Sequence, residues 1–289
     1  MIPLFLARIK TRDGISLAGI VGEQQRKSDT ALIWIHGLGS NFSHGQTLVK
    51  ELSLVLQKNN IGYFKFNTRG HDIANRDTPK GKKLQGAGFE KFEECVPDIR
   101  AMIRFTRSLG YKKIILAGHS TGANKILYYL YKTRDPAVRG LMLLGPVSDI
   151  AAGRKKFGHA GRARGVALAE KLFRKDPSAL MPLSYGILSA RRFLSMFRAG
   201  GAEDTFPYLT PHAEWKELKS VRVPIAVIFG SRDEYLDRPA TKLIEIFRAH
   251  APLSKSFTGV IIKNADHGFR RKEKELSRVI MQWVKSNGL

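Results

Sequence analysis

The chain of 289 residues carries 49 Lys and Arg against 25 Asp and Glu, a formal charge of +24, with 43% hydrophobic residues and a single cysteine. That length and apolar content suit one core domain with an insertion, and one thiol excludes an intramolecular disulfide. No apolar run approaches the roughly eighteen residues of a membrane helix. The opening Met1-Ile2-Pro3-Leu4-Phe5-Leu6 lacks a basic n-region and an adequate h-region, so it reads as a strand and not a signal peptide, and a soluble cytoplasmic protein is expected.

Strand and helix patterns alternate along the chain, as a mostly parallel sheet requires. Residues 2–10 and 14–21 form an expected hairpin about Asp13-Gly14, and Ala31 to Ile35 is an unbroken apolar run of the kind a strand buried on both faces shows. Leu48, Leu52, Val55 and Leu56 share a helical face that Asn59-Asn60 ends, before a strand from Ile61 to Phe66. Thr68 to Gly88 is polar, holds Arg69-Gly70-His71-Asp72 and Lys80-Gly81-Lys82-Lys83, and is too long for a plain connection, which predicts a surface feature near the site. Phe89, Phe92, Val96, Ile99 and Ile103 recur at three and four residues, a helix preceding the strand Ile114 to Ala117. A helix from Ala123 to Tyr131 and a strand from Val138 to Leu144 follow.

Between Pro146 and Ser220 the alternation stops. Helical spacing at Val166, Ala169 and Phe173, and again at Leu183, Ile187, Leu194 and Phe197, predicts an inserted helical cap whose apolar faces roof a pocket. Two buried-strand runs, Pro224 to Phe229 and Gly259 to Lys263, and a last helix marked by Leu276, Val279, Ile280, Trp283 and Val284 complete the chain. The expected division is a core of residues 1–145 and 221–289 around a cap of residues 146–220.

Gly118-His119-Ser120-Thr121-Gly122 sits between the strand Ile114 to Ala117 and the helix after it. A G-x-S-x-G pentapeptide alone arises by chance in roughly one chain of this length in ten. Its place at a strand-to-helix turn is what gives it mechanical meaning as a nucleophile elbow. His36-Gly37-Leu38-Gly39-Ser40 ends the first buried strand and can present a backbone N–H beside the elbow. Gly230-Ser231-Arg232-Asp233 and Asn264-Ala265-Asp266-His267-Gly268 each follow a later strand, so nucleophile, acid and base appear in the order Ser120, Asp233, His267.

On these residues the whole chain resembles an α/β-hydrolase. The elbow, Gly145-Pro146-Val147-Ser148-Asp149 and Gly230-Ser231-Arg232-Asp233-Glu234-Tyr235 together resemble a subgroup that includes fungal siderophore esterases. Arg232 lengthens that group's Gly-Ser-Asp-Glu-Tyr pattern by one residue, which leaves the substrate range open. The resemblance implies an α/β fold with a mostly parallel sheet flanked by helices and a lid between the strand after the elbow helix and the next.

The chemistry expected is acyl transfer to Ser120. His267 takes the hydroxyl proton and returns one to the leaving group, Asp233 orients the ring, and the backbone N–H groups of Leu38 and Thr121 face the developing oxyanion. Asp149 also ends a strand region and Asp237 lies a turn from Asp233, so either remains an alternative acid. His36 and His119 are read as shaping their loops, and His71 as holding the long loop through hydrogen bonds. Cys95 falls on the apolar face of a helix and reads as a buried, inert thiol. His44, His159, His212 and His250 lack metal-ligand spacing, and neither metal nor organic cofactor is expected. The same triad could serve a thioesterase, amidase or carbon–carbon hydrolase, or persist in a non-catalytic ligand receptor.

From Ala151 to Gly200 there are eleven Lys or Arg and two acids, so the expected cap is itself strongly basic. Such a field concentrates anionic ligands, and an anionic small-molecule ester is one reading beside a merely solvated surface. No nucleic-acid motif accompanies the charge, and no aromatic residues interleave the basic runs. Oligomeric state is left open.

Overall fold

The computed structural model describes residues 3–22, 28–77, 83–210 and 212–289. The eight strands are β1 (Leu4–Lys10), β2 (Ser16–Gly22), β3 (Thr30–Ile35), β4 (Gly62–Phe66), β5 (Lys113–His119), β6 (Val138–Leu144), β7 (Ile225–Gly230) and β8 (Phe257–Ile262). They form one sheet in the order β1-β2-β4-β3-β5-β6-β7-β8. β1 and β2 pair antiparallel and β2 pairs antiparallel with β4, while every pairing from β4 through β8 is parallel.

Alternation along each central strand divides the core into two layers. Ala31, Ile33 and Ile35 of β3, with Ile114 and Leu116 of β5, pack on α2 (Cys95–Ser108) and α3 (Thr121–Thr133), in a layer that α7 (Ala240–Ala249) continues over β7 and β8. Leu32, Trp34, Ile115 and Ala117 face the other way, onto α1 (Gln46–Lys58) and α8 (Glu273–Ser286). Burial on both faces explains why these strands read as unbroken apolar runs.

Between β6 and β7 lie α4 (Asp149–Lys175), α5 (Ala190–Phe197) and the single turn α6 (Lys216–Lys219). α4 is interrupted at Gly158 (φ 71°, ψ 168°), and α4 and α5 share an apolar cluster of their own, including Ala169, Met181, Phe193 and Phe197. The second helical pattern expected here is shorter than its spacing suggested. Pro182 and Gly186 (φ 96°) confine Leu183 to a brief 3-10 turn, and Leu183 and Ile187 are exposed, so helix begins only at Ala190, after the Ser189 cap. Phe89 likewise precedes α2, which a 3-10 turn at Phe92–Glu94 introduces.

Among the described residues between Thr68 and Gly88, Asn75 and Gln85 form an antiparallel bridge. The Asp72 N–H donates to the Ser40 carbonyl at 3.1 Å, which sets this segment beside the loop after β3. His71 lies 2.8 Å from Asp72 through Nδ1 and 2.8 Å from Asp77 through Nε2, in keeping with a loop-holding role. Lys80-Gly81-Lys82 and Ile2 lie outside the described residues. Among the described residues no helix is long and apolar enough to cross a membrane.

Candidate active site

Ser120 occupies the turn between β5 and α3 with φ 55° and ψ −126°, a conformation sparsely populated for a residue with a side chain and typical of a strained elbow. The turn closes only because its flanking residues lack Cβ atoms. A Cβ on Gly118 would stand 2.3 Å from the Gly122 carbonyl oxygen, and one on Gly122 would stand 2.3 Å from that of Ile35. The pentapeptide spacing is therefore a packing requirement between β5, α3 and β3.

The loops after β7 and β8 bring Asp233 and His267 together: His267 Nδ1 lies 2.8 Å from Asp233 Oδ2, with the carboxylate buried. The second carboxylate oxygen of Asp233 accepts the Tyr235 N–H at 2.9 Å. His267 is held from three further directions. Its backbone N–H donates to Glu234 Oε2 at 2.9 Å, its carbonyl accepts from His119 Nε2 at 2.8 Å, and the Tyr235 ring packs 4.5 Å from its own. Burial keeps His119 neutral, with its pKa lowered to about 4, so the Nε2–H donates to that carbonyl.

His36, at the end of β3, accepts the Thr68 N–H at Nε2 (3.0 Å) and donates from Nδ1 to the Gly37 carbonyl (2.9 Å). Burial and the nearby Lys125 ammonium lower its pKa to about 3, so the ring is a neutral brace. Both histidines thus shape their loops, as their motif positions suggested. Cys95 is buried, and burial pushes its thiol up.

Ser120 and His267 open onto a cavity of about 530 Å³, whose wall includes Leu38, Thr121, Asp149, Phe197 and Tyr235. The structure thereby gathers Ser120, His267, Leu38 and Thr121 around one space, with Asp233 behind the imidazole. Asp149 enters the same cavity from the start of α4, apart from the Asp233–His267 pair. A larger cleft of about 750 Å³ lies at the opposite ends of the strands, between Lys113 and Pro224, and holds none of these groups.

A buried charge network joins α3, Thr68, Glu90 and α5. Lys125 Nζ lies 2.8 Å from Glu90 Oε2 and donates to Thr68 Oγ1 at 3.2 Å. Arg192 lies 3.4 Å from Glu90, pairs through both terminal nitrogens with Glu203, and donates from Nε to the Ala87 carbonyl at 2.9 Å. The Lys125 and Arg192 ammonium and guanidinium groups hold the Glu90 carboxyl below its usual range despite burial. Sequence reading missed these four residues, as it did the support that Glu234 gives His267.

No curated protein sequence matches the chain. Among solved structures it is similar to the siderophore hydrolase EstB from Aspergillus fumigatus, at 17% identity and a TM-score of 0.70 over 99% of this chain and 98% of that one. It is similar also to Est1E from Butyrivibrio proteoclasticus, solved with ferulic acid bound, at 15% identity and TM-score 0.64 over 97% and 99%. The esterase PF2001 of Pyrococcus furiosus matches at 17% identity and TM-score 0.63 over 99% and 91%. These likenesses establish the α/β-hydrolase fold. A family model described as "Protein of unknown function (DUF1749)" matches residues 17–286, and the chain accordingly belongs to the DUF1749 family, with the α/β-hydrolase fold.

Proposed function

We propose that this protein is a serine-dependent carboxylic ester hydrolase in which Ser120 attacks the ester carbonyl, His267 is the general base and then the general acid, and Asp233 orients the imidazole. The observation that carries this reading is the 2.8 Å contact between His267 Nδ1 and Asp233 Oδ2, behind a cavity onto which both His267 and a strained Ser120 open. With Nδ1–H held by the carboxylate, Nε2 is left basic and free to take the serine proton. Attack forms a tetrahedral intermediate whose oxyanion the Leu38 and Thr121 N–H groups would stabilise. Departure of the alcohol with a proton from His267 leaves an acyl-serine, which water activated by the same imidazole hydrolyses.

The segment between β6 and β7 acts in this reading as the cap, since Ala152, Gly153, Met196 and Phe197 contribute to the cavity wall. Its excess of basic residues supports an ester with an anionic group elsewhere on the molecule, steered to the mouth by long-range attraction. Likeness to a siderophore hydrolase, in motifs and in fold, makes siderophore-type esters a natural member of the substrate set to be screened.

Labelling with a fluorophosphonate probe tests the assignment. The parent protein should be labelled and should turn over simple acyl esters, and Ser120→Ala should lose both, since removing the nucleophile of a triad removes most of its catalysis. Undiminished turnover by Ser120→Ala would overturn the mechanism, and a parent protein that labels but turns over no ester, thioester or amide would favour a ligand receptor.

A further inference from the structure

A second cavity, of about 270 Å³, adjoins the one at Ser120, and Gly37, Ser40 and His119 contribute to the walls of both. Trp34, Tyr63 and Phe269 line its interior and are buried, while His44, Gly45 and Arg270 at its mouth are exposed. Lys65 of β4 is also part of the wall. Side chains alternate along a strand, so Lys65 leaves the sheet on the same face as Tyr63, into a layer whose buried cluster is otherwise apolar. Only 5% of this lysine is exposed.

A lysine is almost never buried without a carboxylate beside it, because its charge gives up water. Lys65 has none. Among the described residues its ammonium makes no ion pair and donates to the backbone carbonyl of His44, which occupies one of its three N–H groups. The ammonium can be reached from outside: its partner His44 is exposed at the mouth, and it is less deeply enclosed than the rings of His36 and His119 beside it. Gly45, the N-cap of α1, is in the same wall and no side chain caps that helix, so its positive end adds to the demand for an anion. The other charged side chains of the wall, Arg270 and Glu273, offset each other, while His36 and His119 are neutral. One positive charge is left over. The buried hydroxyl of Tyr63, which has no partner among the described residues, is a further donor.

We propose that this cavity is a binding site for a small carboxylate, which pairs with Lys65 and rests its apolar body against Trp34, Tyr63 and Phe269. A monoanion matches the single uncompensated charge. Chloride or phosphate would leave the three rings uncovered, and a neutral molecule of the same shape would leave the ammonium unpaired. The site lies outside the Ser120 chemistry, so the proposal holds whichever bond that serine cleaves. Two sources supply such a group: a free acid, or the anionic arm of a molecule seated at Ser120 that reaches past the shared wall.

The test uses the full chain at one ionic strength, with benzoate as the probe, benzamide as its neutral isostere and inorganic phosphate as an anion without an apolar body. Trp34 in the wall is the reporter. Benzoate should change tryptophan fluorescence saturably and raise the melting temperature, and Trp34→Phe should lose the first effect and keep the second. Benzamide and phosphate should bind at least about 10-fold more weakly, and Lys65→Met should weaken benzoate by at least the same factor, since each lacks one charge-assisted contact or the apolar one. Lys65→Met keeps the apolar stem, and apolar replacement of a buried charge is commonly tolerated; circular dichroism confirms the fold. Comparing kcat/KM for an ester with a carboxylate arm and its neutral counterpart distinguishes the sources: Lys65→Met lowers that ratio if the arm occupies the site, and leaves it unchanged if the occupant is a free acid. Failure of the parent protein to bind benzoate would overturn the proposal, as would equal binding of benzamide or phosphate, or undiminished benzoate binding by folded Lys65→Met. If Lys65→Met does not fold, the comparison of benzoate with benzamide in the parent protein still decides.

Discussion

Gly145 lies against the imidazole of His267: a Cβ built there would stand 3.0 Å from Cε1 and 3.1 Å from Nδ1, and 3.5 Å from Asp233 Oδ2. The residue also has φ 54°, a region that side-chain-bearing residues adopt only under strain. The end of β6 therefore forms a wall for the Asp233–His267 pair that emerges from the loops after β7 and β8. Gly145→Ala should push the ring out of its present position against Asp233. Displacements of about 1 Å can lower catalysis by about 10²-fold, so kcat should fall by that order. Fluorophosphonate labelling should slow in parallel, while circular dichroism shows the fold retained. Full activity in a folded Gly145→Ala protein would show that the ring has room to spare.

The two acids in the region make opposite predictions. Asp233→Asn should reduce turnover by about 10⁴-fold, because the amide favours the wrong imidazole tautomer. Asp149→Asn should have a much smaller effect on simple acyl esters, since Asp149 is not the residue bonded to His267. Steady-state kinetics on one short-chain ester would rank the two, and the reverse order would move the acid to the start of α4.

Ser120, Asp233 and His267 were legible as a candidate site because each follows an apolar run that ends in a polar, Gly-containing loop; β5 and β7 are buried on both faces, whereas β8, expected as a buried strand, is the half-buried edge of the sheet. The buried network was not. Lys125 and Glu90 are 35 residues apart, and Arg192 reaches the Ala87 carbonyl across 105. A lone Lys within the helix from Ala123 to Tyr131 reads as a solvated position unless the chain is folded around it. Glu234 stood inside a recognised motif, yet its contact is with a backbone N–H 33 residues away, which leaves no trace in side-chain patterning. At Leu183 and Ile187 the apolar spacing was helical, but Pro182 and Gly186 set the backbone and overrode it.

Lys125 tests how much that network contributes. Lys125→Met keeps the apolar stem and leaves Glu90 with only the longer Arg192 contact. Breaking one side of a buried ion pair typically destabilises by about 3–5 kcal/mol. Urea denaturation should show a loss of that order, with the midpoint shifted and the slope little changed. A loss under about 1 kcal/mol would mean that the ammonium does little to hold the elbow helix against the Thr68–Glu90 segment.

Stability should also fall on mild acidification. His36 and His119 are neutral in the folded protein, with pKa values lowered from 6.5 to about 3 and to about 4. The unfolded chain takes up protons at both below about pH 6.5, whereas the folded chain refuses them until those lower values. The unfolded state thus binds more protons in that window, and unfolding free energy declines as pH falls through it, by at most about 1.4 kcal/mol per pH unit for each ring. The contribution is fully present above pH 6.5. Denaturation curves between pH 7 and pH 4 should show this slope, and His36→Asn should flatten it. An unchanged slope in His36→Asn would mean that His36 is not the group being titrated.

The basic cap leads to a prediction about encounter rather than chemistry. In the proposed reading, the eleven Lys or Arg against two acids between Ala151 and Gly200, together with Arg270-Arg271-Lys272 just beyond His267, surround the cavity mouth with positive charge. Inside the cavity Lys155 is tied to backbone carbonyls, so the field acts at the mouth and outside it. An ester carrying a carboxylate away from its reacting carbonyl should accordingly arrive faster than a neutral ester of the same size. At physiological ionic strength the Debye length is about 8 Å, so the advantage should shrink as salt is raised. Comparing kcat/KM for such a pair across a salt series should show a preference for the anionic ester that declines with salt, with kcat nearly constant. Charge reversal at Arg270 and Arg271, which are exposed, should reduce that preference without altering turnover of the neutral ester. Equal rates at all salt concentrations would reduce the positive charge to a solvated surface and leave substrate selection to the cavity wall.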